Sequence, residues 1–86
     1  MRGPKPYSRE QARRAVARTL RALRRRADGM SQEQLALQSG VDRSYVGEIE
    51  RGLRSPTIEI LLRLALTLGV TCAEFGAEVD THLRRK

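Results

Sequence analysis

Apolar residues recur along this chain at steps of three and four, the period of helices rather than strands. The first run is Ala12, Ala15, Val16, Thr19, Leu20, Leu23 and Ala27, which predicts an amphipathic helix of about five turns. Ser8 and Gln11 form a capping-box pattern at its start, and Asp28-Gly29 ends it. Ser31 and Gln34 repeat that pattern, Leu35 and Ala36 face inward, and Gly40 stops a second, short helix. Val41 is an apolar residue in the turn. Asp42 is placed to cap a third helix in which Val46 and Ile49 point to the core beside Tyr45, and Gly52 closes it. Leu53 to Ser55 is a loop. Pro56 then starts or precedes a fourth helix, whose face of Ile58, Leu61, Leu62, Leu64, Ala65 and Leu68 is the most hydrophobic in the chain. Gly69 ends it, and Thr71 with Glu74 opens a fifth helix carrying Phe75, Val79 and Leu83, which frays into Arg84-Arg85-Lys86.

The expectation is an all-α fold of five helices. It occupies residues 8–86 as one domain behind a flexible basic arm, 1–7, with a helix-turn-helix unit at 31–51 and C-terminal helices at 57–84. With three aromatic residues (Tyr7, Tyr45 and Phe75), the core must be aliphatic. The single Cys72 leaves no intramolecular disulfide framework and no multi-cysteine zinc site. His82 lacks a metal-ligand companion and reads as a surface residue. No nucleophile–histidine–acid set, phosphate-cradling glycine loop or paired carboxylates support catalysis, so neither an enzyme nor a cofactor is expected.

Charge changes the picture more than composition does. The net charge is +7, yet residues 1–30 carry ten basic side chains against two acidic ones, while residues 31–86 are nearly neutral. An arginine-rich first helix on a neutral body points to a polyanion, either nucleic acid or an anionic membrane. The apolar side of that helix is mostly Ala and Val without Trp or Phe, so membrane insertion would be weak. No apolar stretch reaches the length of a membrane span or signal-peptide core.

Two short helices joined by a tight turn present the second one outward, where the major groove is wide enough to receive it. Ala36 at the helix approach, Gly40 in the turn and the anchors Leu35, Val41, Val46 and Ile49 meet that geometry. The outward positions are then Arg43, Ser44, Gly47, Glu48 and Arg51. The run Met30-Ser31-Gln32-Glu33-Gln34-Leu35-Ala36, followed by Gly40-Val41-Asp42-Arg43-Ser44-Tyr45-Val46 and Ile49-Glu50-Arg51-Gly52, resembles the XRE family, the helix-turn-helix of Cro and phage repressors. The resemblance covers roughly residues 16–78. Within the family, Asp42 to Gly52 looks like the restriction–modification controller proteins.

The resemblance implies a phage-repressor-like fold and assigns roles. Arg43, Ser44 and Glu48 would read base edges. Gln32, Tyr45, Arg51, Arg54 and Ser55 would hold phosphates. Glu50 would pair with an arginine of helix one, placed by counting at Arg25. A homodimer through Leu62, Leu66, Phe75, Val79 and Leu83 would bind a roughly palindromic operator on double-stranded DNA. The implied function is a cytoplasmic, nucleoid-associated transcriptional regulator, a repressor or autoregulator, with RNA polymerase as a further partner if it also activates. The alternative is an antitoxin or other interaction module whose DNA binding depends on a toxin-like protein. No small-molecule ligand is expected.

Overall fold

The computed structural model describes residues 7–84, so the expected arm before Tyr7 and the terminal Arg85 and Lys86 lie outside it. Five helices follow one another: α1 (Arg9–Arg26), α2 (Gln32–Ser39), α3 (Arg43–Glu50), α4 (Ile58–Thr67) and α5 (Cys72–Arg84). The described residues contain no strand. Local chemistry sets the boundaries. Ser8 and Gln11 exchange hydrogen bonds at the start of α1, as do Ser31 and Gln34 at α2 and Thr71 and Glu74 at α5. Each box satisfies amides that the first helical turn leaves without partners. Thr57 caps α4 by accepting from the Ile60 amide.

The core gathers Leu20 and Leu23 of α1, Leu35 and Ala36 of α2, Val46 and Ile49 of α3, Leu64 and Ala65 of α4, and Phe75 of α5. Val41, in the turn between α2 and α3, is buried with them. α1 packs on α3 and α5, α2 on α3 and α4, and α4 on α5. Thr19, fully buried, donates its hydroxyl to the Ala15 carbonyl, so α1 brings a polar residue into the core without an unmet hydrogen bond. No single helix among the described residues is long and apolar enough to cross a membrane.

The apolar face of α4 is split by the packing. Leu64 and Ala65 enter the core, and Ile60, Leu61 and Leu68 are half-buried, but Ile58, Leu62 and Leu66 remain exposed at 67, 49 and 80%. These last three are spaced i, i+4, i+8, so they form one apolar stripe on the outside of the helix.

Candidate nucleic-acid interface

α2 and α3 are each eight residues long, separated by Gly40, Val41 and Asp42. Gly40 sits at φ 74°, a left-handed conformation that glycine adopts without a Cβ penalty, and its amide closes α2 on the Ala36 carbonyl. Buried Val46 and Ile49 fix the inner face of α3, which leaves Arg43 and Ser44 exposed at its front. Asp42 occupies the N-cap position but makes no side-chain cap. Its carboxylate instead accepts from the Ser44 hydroxyl at 3.0 Å.

Gly47, expected to point outward, is buried beneath two arginines. A Cβ built there would lie 3.0 Å from Nη1 of Arg43 and 3.2 Å from Nη1 of Arg51, with Oε1 of Gln32 at 3.9 Å. Missing side-chain bulk thus lets two guanidiniums converge one turn above and one turn below the same position. Among the described residues neither has a carboxylate partner. Two like charges held together on an exposed surface suit an anion such as phosphate, and their donors also suit the acceptor edge of guanine.

Beside them, Arg54 lies over the Tyr45 ring, 4.7 Å from its centroid, and bonds Glu48 through Nε at 2.7 Å. Glu48 is therefore engaged with a neighbouring arginine in the free protein. Tyr45 is half-buried, and Ser55 is exposed in the segment after α3.

Glu50 ties three helices together. Its carboxylate is 3% exposed and takes Nε and Nη2 of Arg24 at 2.7 and 2.8 Å, with Nε2 of Gln32 at 2.8 Å. Its carbonyl accepts from Arg21. Burial pushes the carboxyl up, but the bonds from Arg24 and Gln32 and the charges of Arg24 and Arg21 outweigh it, holding Glu50 below its ordinary pKa. The partner is Arg24, not Arg25. Arg24 follows Leu20 by four residues and Ala17 by seven, on the buried side of α1, whereas Arg25 is exposed. Gln32 also departs from expectation: its amide is committed to Glu50, which anchors the start of α2 to the end of α3.

Residues 20–75 match the HTH_3 helix-turn-helix family, well over half of the chain. The chain belongs to that family. An uncharacterised HTH-type transcriptional regulator, y4dJ of Sinorhizobium fredii, is 39% identical over 56 residues, 65% of this chain and 73% of the relative. The control protein C.MunI of a Mycoplasma species is 33% identical over 61 residues, 71% of this chain and 82% of that protein. The crystal structure of the restriction–modification controller protein C.Esp1396I, a tetramer on its natural 35-base-pair operator, superposes with a TM-score of 0.78 at 30% identity, covering 86% of this chain and 96% of that one. The chain is a DNA-binding transcriptional regulator of the HTH_3 type.

In this HTH_3 regulator the residues expected at a dimer interface do not form one set. Phe75 is 1% exposed and belongs to the core, because α5 turns it inward against α1 and α4. That removes it from any interface. Val79 packs against the core and Leu83 is half-buried, while Leu62 and Leu66 stay on the surface. His82 is not a surface residue: its side chain is 12% exposed, with Nε2 3.7 Å from Glu78, which also pairs with Arg26 of α1. Cys72 is a half-buried free thiol at the start of α5. No group of three metal-ligating side chains gathers among the described residues. Sequence reasoning missed Arg24, Arg21 and the floor formed by Gly47; the phase of α1 relative to Leu20 was the available signal for the arginines.

Proposed function

We propose that this regulator binds a roughly palindromic operator as a homodimer, with α3 of each copy in the major groove, and acts as a repressor or autoregulator in the cytoplasm, where it associates with the nucleoid. The observation that carries the reading is the pair of carboxylate-free guanidiniums, Arg43 and Arg51, converging over Gly47 on the exposed face of α3. Arg43 and Ser44 read base edges from the front of the helix, since an arginine fork bonds guanine O6 and N7 together. Arg51, Ser55 and, once released from Glu48, Arg54 hold the backbone beyond it. Glu48 reads a cytosine amino group only when that release has occurred. Gln32 meets phosphate only at the edge of its contact with Glu50, and Tyr45 adds its half-buried ring.

Two copies pair through the exposed stripe on α4, where Leu62 and Leu66 have no cover, with Leu83 at the margin. Their recognition helices then lie about 34–36 Å apart, one turn of DNA. The operator complex of C.Esp1396I, which is a tetramer, supports an assembled DNA-bound state for a fold of this kind. Repression follows from occupancy alone and calls for no cofactor and no catalysis.

The test is fluorescence anisotropy on a duplex selected from a random library, with scrambled duplex as the comparison and Arg43→Ala beside the wild type. Wild type should discriminate the selected duplex, and the variant should lose about 1–3 kcal/mol of that discrimination. Equal, steeply salt-dependent binding of both proteins to both duplexes would reject the reading and leave only nonspecific arginine–phosphate attraction.

A further inference from the structure

Arg14, Arg18, Arg21 and Arg25 recur at i, i+4, i+7 and i+11, so they leave α1 along one stripe. Arg14, Arg18 and Arg25 are exposed. The ion pairs among the described residues engage Arg24, Arg26, Arg54, Arg63 and Arg84, and none of these three. Like charges one turn apart oppose helix formation, so the stripe is a standing strain on α1 that a polyanion would relieve.

Two contacts fix where the stripe runs. Arg21 donates to the main-chain carbonyl of Glu50, the last residue of α3. Cγ of Arg14 lies 4.0 Å from the place a Cβ on Gly52 would take, just beyond that helix. Both contacts set the stripe beside the C-terminal end of α3, at the two residues that flank the exposed Arg51 in sequence. The apolar side of α1, with Ala15, Ala17, Leu20 and Leu23, is consumed by the core, so this helix has no face left to lie in lipid.

We propose that Arg14, Arg18 and Arg25 form a second phosphate-binding surface that follows the duplex flanking the base pairs read by α3. This inference rests on the operator-binding reading and deepens it. From Arg14 to Arg25 the stripe is about 16 Å long at the helical rise, which matches the axial rise of about five nucleotides of one DNA strand. Guanidinium forks suit phosphate oxygens bidentately. Because the contacts ignore sequence, the surface lengthens the footprint and steepens salt dependence while leaving base preference unchanged.

The full chain and the triple variant Arg14→Gln, Arg18→Gln, Arg25→Gln are compared after thermal melts verify that both fold. Anisotropy over a salt series uses two duplexes containing the same library-selected operator, one trimmed to it and one with added flanks, plus a scrambled duplex. Wild type should bind the flanked duplex more tightly and with a steeper salt slope. The variant should lose that gain, its slope shallower by about 0.9 for each contact removed, with the ratio of operator to scrambled affinity unchanged. Discrimination by the wild type with equal slopes for both proteins would overturn the stripe alone. Failure of the wild type to discriminate would overturn the operator reading and this inference with it. Capture of the wild type by phosphatidylserine vesicles, lost in the variant while DNA slopes stay equal, would assign the stripe to an anionic membrane and reject it here.

Discussion

Arg24 lays its guanidinium along the carboxylate of Glu50 in a two-pronged contact, Nε on Oε2 at 2.7 Å and Nη2 on Oε1 at 2.8 Å. This pair joins α1 to the end of α3. Breaking a buried pair from one side leaves the other charge without compensation, at a cost of about 3–5 kcal/mol. Glu50→Gln and Arg24→Ala should therefore lower the melting temperature strongly, whereas Arg25→Ala should leave it near wild type. Thermal melts by circular dichroism decide between the two arginines, and a large loss at Arg25 would contradict the pairing.

The same carboxylate makes stability depend on pH. Its folded pKa lies below the unfolded value of about 4.3, so its contribution is fully present above that pH and is lost as pH falls through the folded value. Denaturant midpoints measured from neutral pH downward should fall more steeply below about pH 4.3 in the wild type than in Glu50→Gln. Parallel profiles would mean that Glu50 carries no such linkage.

Gly47→Ala should separate stability from recognition. Alanine in a helix interior is favoured over glycine by about 0.5–1 kcal/mol. The new methyl meets the flexible ends of Arg43 and Arg51, which can yield by a few tenths of an ångström, and touches Oε1 of Gln32 at an ordinary van der Waals distance of 3.9 Å. The variant should melt at or above the wild-type temperature. It should also discriminate its selected duplex less well, because the two guanidiniums no longer share one position. A less stable variant with intact discrimination would contradict both halves of that expectation.

The exposed stripe of α4 gives a prediction about assembly. With Leu62→Glu and Leu66→Glu together, sedimentation should report the monomer mass of 9.7 kDa at concentrations where the wild type sediments as a dimer. Since both positions are on the surface, helical content should be unchanged. A wild type that is itself monomeric at micromolar concentration would remove α4 as an interface.

Glu48 and Arg54 pair in the open, where solvent screening leaves such contacts with little effect on stability. Glu48→Gln should therefore barely move the melt. It should tighten binding to scrambled duplex by freeing a phosphate-seeking guanidinium, an effect read directly by anisotropy. Weaker binding would indicate that Glu48 itself contacts the duplex.

Much of this arrangement was legible in the chain because the helix signals are local. Ser8, Ser31 and Thr71, each with its partner three residues on, mark their helices through hydrogen bonds that need no tertiary context. Gly40 marks the turn for the same reason, and the family resemblance through residues 30–52 agrees with the match over residues 20–75. What was not legible depended on which side of a helix another helix covers. Arg24 and Arg25 are chemically identical neighbours, and only the packing of α1 on α3 distinguishes them. Phe75 could have served a core or a partner equally well until α5 settled against α1. Gly47 shows the same limit: an empty position has no signal of its own until two long side chains are seen to occupy it.

Phe75 has a consequence for how the regulator would respond to its own abundance. With that ring enclosed by its own helices, each copy finishes its core without help. Under the proposed pairing through α4, copies that meet would be completed proteins in reversible association, and a separated copy would be a reserve rather than a casualty. In a dilute cell the paired form would grow as the square of the amount synthesised, so a doubling of protein would quadruple the species that can span two half-sites. Control by that form would set a threshold, and the threshold would lie in how loosely two α4 stripes adhere.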